Sequence, residues 1–339
     1  MKKVLLGLLA ASLATFSAWA DEVTLNPDHP DKHVVVKGDT LWDISEHFLQ
    51  SPWLWPEIWH VNPQIANPHL IYPGDVVRLI YLDGKPRLTV ERSDIVKLSP
   101  KIRESANDGA IPAIPLDAIS AFLSRSRIVG LDEMDGAPYV IAGEETRLIL
   151  GANDTLYARG EFNTEEDAWG VYRRGQLYID PETEEVLGMQ ALDIGGLRLT
   201  DLDNDVATMA VTRAGEEVRI EDRLLPHEQR PIESSYFPSA PSSEIEGWVL
   251  AVEGGVKNAG KMDVVVVNKG DRDGLKSGNV LAIYKQGETV KDRIKGDMVT
   301  LPEERVGIAM VFRTFDKVSY ALVLEADRPL DLLDRVRNP

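Results

Sequence analysis

The side chains best suited to covalent or metal chemistry are scarce in this sequence and poorly placed for it. Cysteine is absent from all 339 residues. With no thiolate to act as nucleophile, Cys-dependent peptidases and L,D-transpeptidases are excluded. A zinc peptidase needs His and carboxylate ligands close together. His29, His33, His47, His60 and His69 all fall before residue 70, and only His227 lies further on, in a polar, Pro-flanked loop. No zinc site is expected in the C-terminal half. Glycoside hydrolysis needs two carboxylates, and Glu144-Glu145, Glu165-Glu166-Asp167 and Asp201 to Asp205 are acidic clusters. On an acidic surface these read as solvated loops. Asp201-x-Asp203-x-Asp205 has a calcium-like spacing but lacks the glycine and closing glutamate of an EF-hand loop. Gly195-Gly196 and Gly254-Gly255 read as turns without phosphate-loop spacing. The expectation is therefore no catalytic residue, no metal and no cofactor.

Polar chemistry of a milder kind is concentrated near the N-terminus. His33 to Lys37 is a short β-branched run ending at Gly38-Asp39, which reads as a strand and a turn. Thr40 can cap the next helix, with Leu41, Ile44, Phe48 and Trp42 toward its buried side and Asp43 placed for part of a capping box. Ser51-Pro52 breaks that helix. Trp53 to Asn62 reads as a second short helix, with Pro56 tolerable only in its first turn. Tyr72 to Asp75 is a turn, and Val76 to Ile80 a second strand. The predicted order is strand, helix, helix, strand.

In this stretch the sequence resembles the LysM family. The matching residues are Val35-x-x-Gly38-Asp39-Thr40-Leu41-Trp42-x-Ile44, Asn62-Pro63, and Asn67-Pro68-x-Leu70-Ile71-Tyr72-Pro73-Gly74-Asp75. The resemblance covers residues 32–82 and implies a βααβ fold that binds N-acetylglucosamine-containing glycans, chiefly peptidoglycan or chitin. It further implies a shallow groove with Gly38, Asp39, Thr40 and Leu41 on one side and Asn67, Leu70 and Ile71 on the other. Such a groove suits an N-acetyl sugar, which offers an amide, hydroxyls and an apolar ring face. Asp39 has two readings, a turn residue or a ligand contact.

The helix–helix connection is longer and richer in aromatics than is usual in that family. Trp53 and Trp55 can form a sugar-stacking platform. Alternatively the tryptophans, Trp42 and Trp59 above all, fill the core of a very small domain.

Beyond the module, residues 83–136 read as a connector, in which Ile111 to Pro115 is extended and Leu116 to Leu123 can form a short helix. Two β-rich units follow at 137–230 and 246–339, separated by a Pro- and Ser-rich linker at 231–245. They read as a degenerate repeat. Pro138 to Ala142 parallels Gly247 to Ala251, Gly170 to Gly175 parallels Leu281 to Gly287, Val186 to Ala191 parallels Arg305 to Met310, and Asp222 to Leu224 parallels Asp334 to Val336. Each unit is expected to be a β-barrel or small sandwich, with Val264 to Val267 as a buried strand. The fold class is thus an α+β N-terminal module followed by a mainly-β region of two repeated units.

Residues 1–20 read as a signal peptide, with Lys2 and Lys3 before an uncharged run and cleavage between Ala20 and Asp21. No membrane span is expected after cleavage, because no other stretch is long and apolar enough. The net charge of -18 repels phosphate backbones and excludes nucleic acid as a natural partner. Together these features predict a periplasmic or secreted, wall-associated protein. Three functions fit: non-enzymatic peptidoglycan binding, with other envelope proteins as further partners; a glycan hydrolase of unrecognised type; and a wall-anchored subunit of an envelope secretion or flagellar machine.

Overall fold

The computed structural model describes residues 23–59, 70–91, 112–114, 119, 127–144, 149–163, 166–226, 236–254 and 257–339. The expected cleavage site at Ala20 and Asp21, the Asn62-Pro63 stop, Asn67 of the expected groove, His227 and most of the Leu116–Leu123 segment lie outside them.

The N-terminal module has the expected order. β1 (Lys32–Val34) pairs antiparallel with β2 (Val76–Leu82), with Lys32 opposite Arg78. Helix α1 (Leu41–Phe48) starts at Thr40, and both halves of the capping box with Asp43 are formed. A cap of this kind is worth about 1 kcal/mol. A 3-10 turn at Pro52–Leu54 leads into α2 (Trp55–Ile58), with Pro56 in its first turn. That position needs no backbone N–H, which is why the proline is accommodated. A third strand, β3 (Lys85–Glu91), pairs along the whole length of β2. It falls within the expected connector, yet Leu88 on it is fully buried in the module core.

The four tryptophans settle into that core. Trp55 is 0 % exposed, Trp42 1 %, Trp53 5 % and Trp59 9 %. The platform expected from Trp53 and Trp55 is therefore corrected: neither ring has a face free to stack on a sugar. Trp55 meets Trp59 edge-on at 5.8 Å and Phe237 at 6.0 Å. So few residues can exclude water from a core only with large side chains.

Downstream the chain is mainly β. After β4 (Arg127–Val129) and a short helix α3 (Leu131–Gly136) come β5 (Tyr139–Gly143), β6 (Ile149–Leu150), β7 (Thr155–Arg159), β8 (Ala168–Ile179), β9 (Val186–Asp203), β10 (Val206–Ala214), β11 (Val218–Arg219) and β12 (Arg223–Pro226). Pairing runs β5-β7-β10-β9-β8-β12 and returns to β5. β4 attaches outside this ring, on β9.

The last part contains β13 (Glu246–Val252), β14 (Asn258–Ala259), β15 (Val264–Val267), β16 (Val280–Lys285), β17 (Thr289–Lys291), β18 (Met298–Thr300), β19 (Glu304–Thr314), β20 (Ser319–Ala326), β21 (Leu330–Asp331) and β22 (Arg335–Arg337). Six of them close a barrel in the order β13-β15-β20-β19-β16-β22. Of the two forms expected, the barrel is the one found here. Its interior is aliphatic, and β15 is buried on both faces, as its unbroken valine run requires.

In the barrel Gly307 lies opposite Ile283. In the first ring Gly195 lies opposite Val171. Both places demand glycine, because a Cβ would come within 2.5 Å of the Glu325 carbonyl or 2.4 Å of the Arg213 carbonyl.

A single buried cluster runs from the N-terminal module through Ile114 and Tyr236 into the second barrel, and Lys261 pairs with Glu46 at 3.5 Å. The two rings meet through the β8–β9 hairpin. Its Tyr178 hydroxyl and the Gln190 amide both donate to Glu253, at 3.1 and 2.8 Å.

Candidate glycan-binding site

Two loops are brought together at the end of β1. The Val35 N–H donates to the Asp75 carbonyl at 2.9 Å, and the Gly74 N–H returns the bond to Val35 at 2.8 Å. The loop after β1 therefore lies beside the loop before β2. Gly38 turns the first loop at φ +101°, a conformation that disfavours other residues. Asp75 holds the second, accepting from the Tyr72 N–H at 3.0 Å.

The expected groove residues take distinct places in this frame. Gly38 is exposed. The Asp39 carboxylate is engaged within its own turn, bonding the Val36 N–H at 3.0 Å and the His33 ring at 2.8 Å. The Thr40 hydroxyl donates to Asp43 at 2.7 Å and accepts from the Asp43 N–H at 3.1 Å, so the helix cap uses it fully. The side chains of Leu41 and Ile71 are buried. Leu70, at 39 % exposed, offers an apolar surface at the edge of the second loop.

Sequence reasoning missed one participant. The first two N–H groups of α1 have no partner within the helix, and both are satisfied from a distance. Leu41 N–H donates to the Pro112 carbonyl at 3.0 Å and Trp42 N–H to the Ala113 carbonyl at 3.1 Å. Ile114 beside them is fully buried. A stretch legible only as extended thus presents amide carbonyls to the edge of the expected groove. The acetamido group of an N-acetyl sugar carries the same kind of acceptor.

Residues 33–79 match the LysM domain model. This chain is a LysM-containing protein. LysM domains generally bind peptidoglycan- or chitin-type glycans, and they are binding modules rather than catalysts. The match covers only a small part of the chain, and the β-rich region stays unidentified. No curated protein matches the chain. Among the described residues, no group of three His or carboxylate side chains is placed to hold a metal. No helix among them is long and apolar enough to cross a membrane.

Proposed function

We propose that this is an exported, non-enzymatic protein that binds peptidoglycan through its LysM module and anchors two copies of one β-unit to the cell wall. The observation that carries this reading is the LysM match over a βααβ module whose two loops lie side by side. Cleavage before Asp21 would deliver the chain to the periplasm or beyond. Gly38, Asp39, Thr40, Leu41, Leu70 and Ile71, with Asn67, are the proposed glycan contacts. Gly38 and Leu41 contribute through their backbone, Leu70 through its side chain. Because Asp39 and Thr40 are committed to turn and cap, their role is to hold the loop's shape. The proposed boundaries are 32–82, extended to include β3, for the module, and 137–230 and 246–339 for the units.

The two-copy reading is supported by detail beyond strand order. Asp154 and Asp263 each accept from the glycine N–H three residues earlier, at 2.8 Å in both cases. Asp222 and Asp334 do the same for Arg219 and Asp331, again at 2.8 Å. The short pairs β6–β11 and β14–β21 occupy matching positions between the first and last strands of each ring.

The test is co-sedimentation of the mature chain with purified sacculi, competed by chitin oligosaccharides. Binding is expected, and Leu70→Asp is expected to weaken it at least tenfold, roughly 1.4 kcal/mol. A chain that stays in the supernatant would remove the reading. Clearing of sacculi in a zymogram would instead favour the hydrolase alternative.

A further inference from the structure

Each β-unit extends one hairpin with the same tip. In the first, the Asp180 carboxylate accepts from the N–H groups of Glu182 and Thr183 at 3.0 and 2.9 Å, and Glu184 adopts φ +58°. In the second, Asp292 accepts from Ile294 and Lys295 at 2.7 and 3.1 Å, and Gly296 adopts φ +83°. The Asp180 N–H bonds Glu185 at 2.9 Å, and the Asp292 N–H bonds Asp297 at 2.8 Å.

Their surroundings differ. The first tip is seated on the second unit, against the loop after β15 and the β19–β20 turn. There Asn268 donates to Asp180 at 2.7 Å, Arg272 forks onto both Glu185 oxygens at 2.8 Å each, and Lys317 reaches Glu185 at 2.8 Å. The second tip projects from the molecule with apolar side chains outward. Ile294 is 95 % and Met298 62 % exposed, and Val290 and Val299 are exposed beside them. A cluster of this kind on a surface marks a contact site.

The charges show what fits it. The seated tip is acidic, with Asp180, Glu182, Glu184 and Glu185, and Arg272 and Lys317 reach it from a mixed face that also carries Lys269, Asp271, Asp273 and Asp316. The projecting tip is net basic, with Lys291, Arg293 and Lys295 exposed beside Asp292 and Asp297. The corresponding face of the first unit, the loop after β7 and the β9–β10 turn, exposes Glu161 and Asp203, with Asp205 paired to Arg159 beside them. The projecting tip thus offers cations where the seated tip offers carboxylates, and the first unit's face offers carboxylates to receive them.

We propose that the second hairpin of one molecule docks on the first β-unit of a second copy, head to tail, reproducing between molecules the contact already made within one. Such a heterologous contact leaves a face open at one end of a pair and a tip at the other, so it propagates into a ring or a filament. The proposal rests on the equivalence of the two hairpins and is independent of glycan binding.

Sedimentation velocity of the mature chain over a range of concentrations tests it. The weight-average mass is expected to rise with concentration at low ionic strength and to fall back as salt screens the contact. Lys291→Glu, Arg293→Glu and Lys295→Glu together are expected to weaken association at least tenfold. Adding Glu161→Lys and Asp203→Lys to that chain is expected to restore it. All five positions are exposed, so the fold is kept, and circular dichroism checks this. A wild-type chain that stays monomeric up to ~100 µM, an ordinary ceiling for weak association, would overturn the proposal. So would association indifferent to the reversal, or a reversal that the second pair of changes does not rescue.

Discussion

Glu253 shows how a single carboxylate records its position. It lies where the two β-rings meet, accepting from Tyr178 and Gln190. Burial pushes its pKa above the ordinary range, and the two hydrogen bonds only partly offset this. The folded protein therefore binds this proton more tightly than the unfolded chain. Glu253 favours folding most below the ordinary glutamate value of about 4.3, and that contribution is lost as pH rises through the folded value. Glu253→Gln keeps the shape without the charge. Thermal melts across the acid-to-neutral range are expected to show the variant gaining on the wild type as pH rises, and parallel curves would refute this. Glu185 runs the other way. Its bonds to Arg272 and then Lys317 lower it to about 2, so its contribution is present above about 4.3 and is lost only as pH falls toward 2. At this scale the sequence was readable where bonding is local: Thr40 and Asp43 lie three residues apart and cap as their spacing predicts. Trp53 and Trp55 were not readable in this way. Core and platform demand the same side chain, and only the tertiary surroundings decide between them.

Among the elements, the stretch Pro112–Ile114 bears most directly on function. Its carbonyls occupy the free N–H groups of α1, and Ile114 is buried beside them. Burying such a side chain contributes roughly 1.5–3 kcal/mol, enough to hold the stretch in place against a weakly binding sugar. A glycan whose acetamido carbonyl seeks the Leu41 N–H must displace it. Ile114→Asp is therefore expected to tighten chitin-oligosaccharide binding by the full mature chain several-fold in a calorimetric titration. In wild type, the sugar is expected to speed hydrogen exchange around residues 112–114. Weaker binding by the variant would mean that the stretch completes the groove instead. No local pattern in Ile111 to Pro115 could have revealed this pairing, because an extended Pro-flanked run does not encode its distant partner. If the two units are copies of one, the pairing of Val186–Ala191 with Arg305–Met310 is shifted for a similar reason. β8 and β9 are long and carry three register shifts, whereas the hairpin of the second unit divides into β16–β17 and β18–β19. Similar residue strings then recur at places that the strand ladder does not equate, and the glycine beneath a close carbonyl is the truer marker.

For the whole molecule, the decisive question is whether the anchor and the two rings act as one body. A buried cluster joins the LysM module to the second ring and takes in Ile128, Tyr178 and Leu187 of the first unit, and the β8–β9 hairpin adds polar bonds along its length and at its tip. Asn268 supplies a buried polar bond at the junction between the rings. Its side chain donates to Asp180 at 2.7 Å and accepts from the Trp248 N–H at 2.6 Å, and it is 3 % exposed. Removing it strips two polar groups of their partners in a place where water does not replace them readily, at a cost of about 1–3 kcal/mol for each group left unsatisfied. The Arg272 and Lys317 pairs are half-exposed, so solvent screens them and their loss leaves no buried group unpaired. Asn268→Ala is accordingly expected to destabilise the contact between the rings more than either ring's own fold. Calorimetry is expected to show one cooperative transition in wild type resolving into two in the variant, with the first ring melting apart from the remainder. Arg272→Ala is expected to leave the single transition in place. If both variants kept one transition, the rings would be joined chiefly by the apolar contacts around Tyr178, and the polar tip would serve to set their register.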